Sequence, residues 1–243
     1  MLNTILFDLD GTVLPMDFDA FMQRYFDEMG KMFQDMIDGK LLAGHILEST
    51  RYMVNNLEDR PNEDKFMERF SQLIGGDITA YRKRFDAFYD TLFLNVRQTT
   101  QQNDAMIKAI RLIKNKSYNT VLATNPLFPM KANHHRIRWA GLLPGDFSYI
   151  SSYENNRYCK PNPEYYREVL SGIDRSPEEC MMVGNDALED MAAAKLGIKT
   201  YLIEDHLLNP HHVAIKANYR GSYDDFYAFV RELSECGSVG VRE

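Results

Sequence analysis

Five short apolar runs, each closed by a turn or a small polar residue, constrain this chain more than any other feature. They are Thr4-Ile5-Leu6-Phe7-Asp8, Thr120-Val121-Leu122-Ala123-Thr124, Phe147-Ser148-Tyr149-Ile150, Cys180-Met181-Met182-Val183 and Thr200-Tyr201-Leu202-Ile203. A brief apolar run bounded by turn signals reads as a buried strand. Helix-periodic stretches lie between most of them, at Asp104–Lys116, Met130–Ala140, Pro163–Leu170 and Leu188–Leu196, the last ending at Gly197. Strands alternating with amphipathic helices predict βαβ units and a parallel sheet covered on both faces. The expected fold is therefore α/β, with a doubly wound, Rossmann-like parallel sheet. A weak strand near Ala217-Asn218-Tyr219 and a helix from Tyr223 to Leu233 would close it.

Residues 16–96 break this rhythm and offer no convincing strand. Four helices are expected there, at Phe18–Ile37, Leu41–Leu57, Glu63–Ile74 and Ile78–Phe93, with breaks at Gly39, Arg60-Pro61 and Gly75-Gly76. The division that follows is an α/β core made of residues 1–15 and 97–243, with an all-helical cap domain, 16–96, spliced into it. Within the insert, Phe18, Phe21, Met22, Tyr25, Phe26 and Met29 recur at helical spacing. That stripe reads as core packing in preference to a ligand box. Of the insert's polar and aromatic residues, Asp17, Phe18, Arg51, Tyr52 and Arg69 are each expected to be solvated or packed in the core.

Composition narrows the partners. The 243 residues are 44% hydrophobic and 26% charged, ordinary for a globular protein, and carry a formal net charge of -7 with no basic tract. That balance argues against a nucleic-acid polymer or an anionic membrane as partner. Cys159, Cys180 and Cys236 show no paired spacing, which fits a reducing compartment. No signal peptide is evident after Met1, and no apolar stretch approaches the roughly 20 residues that span a bilayer. The expected location is cytoplasmic, as a monomer or homodimer.

In an open parallel α/β sheet, ligands sit beyond the carboxyl ends of the strands. Asp8, Asp10, Gly11 and Thr12 follow the first strand, and Thr124 and Asn125 follow the second. Lys160-Pro161 comes after the third across a loop, and Gly184-Asn185-Asp186, with Glu189 and Asp190, follows the fourth. A carboxylate is a competent phosphoryl acceptor. Clustered carboxylates repel one another unless a cation sits among them, and hard oxygen donors suit Mg²⁺. Lys160 would balance the remaining charge, Thr124 and the N–H groups of Leu9 and Asp10 would hold phosphate oxygens, and Asp10 would act as acid and base.

Asp8-Leu9-Asp10-Gly11-Thr12, Thr124-Asn125, Lys160-Pro161 and Gly184-Asn185-Asp186 resemble, in order and spacing, the four motifs of the haloacid dehalogenase (HAD) superfamily. The helical insert resembles that family's C1-type cap, and the resemblance covers nearly the whole chain. It implies Asp8 as nucleophile, Asp10 as general acid and base, and Thr124, Asn125 and Lys160 on the phosphate. It also implies Mg²⁺ held by the Asp8 carboxylate, the Asp10 carbonyl and a carboxylate of the last motif. Many members have Gly-Asp where this chain has Gly184-Asn185. Asp186 is therefore the expected direct ligand, with Asn185 and Asp190 in or near the second shell. The family's dehalogenases and phosphonate-cleaving enzymes lack an acid at the position of Asp10. Its presence implies a phosphohydrolase that acts on a small phosphorylated metabolite, a phosphate monoester, through an aspartyl-phosphate intermediate on Asp8. A phosphomutase or phosphotransferase of the same superfamily, or a weakly catalytic binding protein, are the alternatives.

Other candidates carry blander expectations. Adjacent histidines, as in His134-His135 and His211-His212, point in different directions on a helix and do not share one ion. Cys159 is expected to be inert, and Trp139 to pack.

Overall fold

The computed structural model describes residues 1–237. Its centre is a six-stranded sheet in which every pair is parallel: β1 (Thr4–Phe7), β2 (Asn119–Leu122), β3 (Tyr149–Ile150), β4 (Cys180–Gly184), β5 (Lys199–Ile203) and β6 (Tyr219–Gly221). The order β3-β2-β1-β4-β5-β6 reverses direction between β1 and β4. That switch point is where ligands gather in doubly wound sheets. All four β1 residues are buried, and their alternation assigns them to two layers. Ile5 and Phe7 join Leu122, Met181 and Val183 on one face; Leu6 joins Val121, Met182, Tyr165 and Val169 on the other.

Helices cover both faces. In the core these are α5 (Asp104–Asn115), α6 (Met130–Trp139), α7 (Pro163–Gly172) and α8 (Tyr223–Glu232). Asn103 caps α5 by accepting from the Met106 N–H, and Asn162 caps α7 by accepting from the Glu164 N–H, each at 2.9 Å. Proline at the first position of α7 loses no hydrogen bond there. Ser222 and Asp225 form a reciprocal capping box at the start of α8.

Between β1 and α5 lie α1 (Phe18–Phe33), α2 (Gly39–Asn55), α3 (Asn62–Ile74) and α4 (Thr79–Asp90), then 3-10 turns over Leu92–Thr99. The chain enters and leaves this insert at one neck, where Met16 bridges Thr100 and the Gln101 N–H donates to the Pro15 carbonyl. Its interior is aromatic: Phe33, Phe66, Phe70 and Phe85 pack with ring centroids 4.9–6.4 Å apart. The start of α3 docks on the core, with the Asn62 and Glu63 N–H groups donating to the Asn156 and Tyr153 carbonyls. No helix among the described residues is long and apolar enough to cross a membrane.

Several boundaries differ from expectation for local reasons. Gly39 begins α2 instead of breaking it, because the Asp38 carboxylate accepts from the Lys40 and Leu41 N–H groups. Helix α1 stops at Phe33, and α4 stops at Asp90 because Thr91 leaves the helical region. The expected helix Leu188–Leu196 is a turn followed by a 3-10 segment, Met191–Leu196, since Asp186 ties down the N–H groups of Leu188 and Glu189. The last strand lies at Tyr219–Gly221, two residues beyond its expected start.

Candidate active site

Asp8 leaves the carboxyl end of β1 with its N–H still bonded to Val183 of β4 at 2.9 Å, so the neighbouring strand fixes its backbone. One of its carboxylate oxygens lies 2.8 Å from Lys160 Nζ, and Lys160 lies 2.6 Å from Asp190. The lysine side chain is fully buried, and Asp190 is 1% exposed. Burial alone would favour neutral lysine, but Asp190 and Asp8 hold its pKa well above the usual value and keep it charged. The other Asp190 oxygen accepts from the Asp186 N–H at 2.9 Å. Asp190, placed near the second shell by sequence, is thus the buried partner that locates the lysine.

Two glycines make this approach possible. A Cβ on Gly184 would fall 2.1–2.5 Å from the Asp190 side chain, and one on Gly11 would fall 2.3 Å from the Asn185 amide. Gly11 also has φ +83°, a conformation that side chains resist. Asn185 is fully used: its Oδ1 accepts from Thr12 at 2.9 Å and its Nδ2 donates to the His206 carbonyl at 2.7 Å. Asp186 accepts from the N–H groups of Leu188 and Glu189 through one oxygen, at 2.7 Å each. Asn125 links the second and third loops, donating to Glu189 at 2.9 Å and accepting from the Lys160 N–H at 3.2 Å.

Three tyrosines outside every motif frame these loops. The Tyr165, Tyr166 and Tyr223 hydroxyls donate to the carbonyls of Thr124, Glu189 and Gly11 at 2.8, 2.6 and 2.8 Å. Thr124 is nearly buried and lines the same cavity as Asp8, Asp10, Asn125 and Asp186. Asp8, Asp10, Thr124, Asn125 and Asp186 reach this cavity, Leu9, Gly11 and Thr12 do not line it, and Lys160 lies beneath it against Asp8.

The residue that sequence reasoning missed is Arg136 of α6. Its guanidinium is completely buried, donates to one Asp10 oxygen and to Asn133, and stacks 4.3 Å from the Phe128 ring. The second Asp10 oxygen is buried without a partner, although 23% of the side chain still opens to the cavity. Burial pushes the Asp10 carboxyl upward; Arg136 opposes that shift and Asp8 adds to it. Glu189 is raised to about 7 by burial, opposed by Lys160 and reinforced by Asp186.

Among the described residues, Asp8, Asp10, Asp186, Glu189 and Asp190 crowd five carboxyl groups of hard oxygen donors around Lys160 and Arg136, and burial raises Asp10, Glu189 and Asp190 because these two cations do not offset the charge of all five. A divalent cation relieves such an excess. Among the described residues no three His, Cys, Asp or Glu side chains close on an ion by themselves. The fit is to a cation that also takes carbonyl and water oxygens, as Mg²⁺ does.

The family model of the haloacid dehalogenase-like hydrolases matches residues 2–197. The chain belongs to that family. Among curated relatives it is 22% identical to the pyrophosphatase PpaX of Anoxybacillus flavithermus, with 88% of each chain covered. Among solved structures it resembles a HAD phosphatase from Thermococcus onnurineus, at a TM-score of 0.62 and 15% identity, with 97% of this chain and 100% of that one covered. It also resembles the L-2-haloacid dehalogenase of Xanthobacter autotrophicus, at 0.58 and 14%, with 96% and 100% covered. At such identities these two structures establish a shared HAD fold. A phosphatase and a dehalogenase on one fold leave the chemistry to be argued from the side chains.

Above the carboxylates lies a cavity of about 770 Å³, roofed by α1 to α4. Phe18, Met22, Tyr25 and Phe26, expected to serve as packing, line it; of that stripe Phe21 and Met29 belong to the core alone. Periodicity located the apolar face of α1 but not the space in front of it. Asp17, Arg51, Tyr52 and Arg69 do not line the cavity. His134 and His135 are half-buried on α6, and burial lowers both below the usual histidine range.

Proposed function

We propose that this protein is a Mg²⁺-dependent phosphohydrolase that cleaves a phosphate monoester through an aspartyl-phosphate on Asp8. The observation that carries the reading is the pairing of two carboxylates in opposite settings at one strand end. Asp8 lies 2.8 Å from the Lys160 ammonium with a backbone fixed by the sheet, whereas Asp10 is bound by the buried Arg136 at the cavity and is raised by burial, which favours a proton donor.

With one Asp8 oxygen engaged by Lys160, the other attacks phosphorus, the ester P–O bond breaks, and Asp10 protonates the departing alcohol. Water then attacks the acyl phosphate, Asp10 takes its proton, and inorganic phosphate leaves with Asp8 restored. Lys160 offsets the charge brought by the phosphoryl group, and Thr124, Asn125 and the loop N–H groups of Leu9 and Asp10 are assigned to its oxygens. Arg136 is a positioning residue that aims Asp10. Mg²⁺, assigned to the Asp8 carboxylate, the Asp10 carbonyl and the Asp186 carboxylate, supplies charge neutralisation when bound. The helical insert acts as a cap that excludes bulk water.

The relatives named pyrophosphatase raise pyrophosphate as a substrate. A second phosphate in the cavity would need its own cation, and among the described residues no Lys, Arg or His lines the walls. That supports a monoester. The test is phosphate release from a panel of phosphorylated compounds with Mg²⁺ and with EDTA. Turnover that EDTA abolishes and Mg²⁺ restores is expected; release that ignores the metal would overturn the reading.

A further inference from the structure

The leaving-group side of the cavity differs in kind from its floor. Met22, Phe26, Ile46, Met67, Phe128 and Leu207 are typical of its walls. The insert's arginines are spent elsewhere: Arg51 and Arg69 on Glu48, Arg82 on Glu63, Arg84 on Asp35. The wall's polar groups are largely committed too. The Tyr25 and Tyr89 hydroxyls bond each other at 3.0 Å, Thr50 donates to the Ile46 carbonyl at 2.9 Å, and the Asn209 side chain holds Val213. Tyr153 adds one hydroxyl to this lining.

A polyhydroxylated or doubly charged leaving group placed there would lose its water and find few partners. Each polar group so stranded costs roughly tenfold or more in binding. An apolar group meets no such cost, and about 770 Å³ is far more than a phosphate needs; it lies in the range that holds a drug-sized ligand. The apolar lining also continues to the surface. Phe18, Leu47, Leu207 and Leu208 line the cavity while remaining 37–50% exposed. A row of exposed large apolar side chains at the mouth of a catalytic cavity marks a path for an apolar ligand.

We propose that the substrate is a phosphate monoester of a large, uncharged, mostly apolar alcohol, aryl or long-chain alkyl, whose hydrocarbon fills the helical roof and extends toward this mouth. The proposal rests on the phosphohydrolase reading but is separable from it by experiment.

The experiment is kcat/KM for a series of alkyl phosphates from methyl to decyl, with naphthyl phosphate, pyrophosphate and a hexose phosphate, using the full chain and Mg²⁺. An apolar cavity predicts a rise of about fourfold per buried methylene before the series levels off. Pyrophosphate and the hexose phosphate should fall about 100-fold or more below the best alkyl or aryl ester. Naphthyl against decyl phosphate tells the aryl source from the alkyl one. A flat or falling alkyl series, or pyrophosphate or the sugar ester as best substrate, would overturn the proposal while leaving the phosphohydrolase reading intact. If nothing is hydrolysed, that reading fails, and calorimetric binding of methyl- and decylphosphonate still decides the proposal. Affinity climbing with chain length upholds it, and equal affinity overturns it. Leu47→Gln, at a half-exposed position, should lower the decyl-to-methyl ratio about fivefold; an unchanged ratio would contradict the assigned path.

Discussion

The floor and the roof of this cavity are built on opposite principles. On the floor, carboxylates, a lysine and an arginine are held at hydrogen-bonding distance by strand ends, glycines and tyrosine hydroxyls. In the roof, aromatic and aliphatic side chains from four helices enclose a large space, with no cationic side chain in the lining among the described residues. Bonded charge fixes geometry, and geometry is what phosphoryl transfer demands. Apolar walls fix little except what is excluded. In the proposed reading the floor sets the reaction type and the roof the choice of substrate, so substitutions in the two should fail differently.

The largest effect should come from the floor. Asp8→Asn removes the proposed nucleophile and should lower turnover by about 10⁴-fold or more, measured as phosphate release, while circular dichroism stays unchanged. Turnover near the wild-type rate would exclude Asp8 as acceptor. Lys160→Met comes next, because it leaves Asp8 and Asp190 buried without their counter-charge. A loss of about 4 kcal/mol in denaturant unfolding is expected, with turnover also lost. A protein as stable as wild type would mean that the lysine is not what balances these acids.

Arg136→Met tests whether the floor depends on a residue outside the motifs. With the Asp10 carboxylate no longer aimed, kcat should fall about 100-fold with KM little changed, and Arg136→Lys should recover part of it. Equal effects on kcat and on the affinity of a substrate analogue would point to general loosening instead. The smallest effect belongs to Cys159, buried beside the lysine. Its pKa is pushed up to about 12, above the unfolded value, so the folded thiol stays protonated as pH rises through 9. The buried thiol is therefore a poor nucleophile at pH 8, and iodoacetamide should leave Cys159 unmodified until denaturant is added. Rapid labelling in the native state would contradict that burial.

The sheet was legible because buried parallel strands leave short apolar runs and because their ends carry the polar residues. Asp8, Thr124, Asn125 and Asp186 stood out for that reason, and the structure brings them to one rim. Arg136 was hidden by its neighbour Arg138, since two arginines in one helix look like a solvated face. The signal was available: Ala132, Asn133, Arg136, Ile137 and Ala140 share one buried stripe of α6 and its C-cap, and an arginine on such a stripe needs an acid. The tyrosines 165, 166 and 223 gave no such sign, because a tyrosine on an apolar face looks the same whether or not its hydroxyl holds a loop. The roof was legible as helices but not as a cavity. Spacing shows which side of α1 is apolar, and only the packing of α1 to α4 decides whether that side meets protein or open space.

The claim at the centre of this account is that Asp8 itself carries the phosphoryl group. Wild-type protein turning over its best ester with Mg²⁺, quenched in acid and digested, tests it by mass spectrometry of the peptide containing Asp8. The account predicts a phosphorylated Asp8 that vanishes in Asp8→Asn and decays on hydroxylamine treatment. Phosphate release at full rate with no phosphoryl group ever found on Asp8 would contradict it.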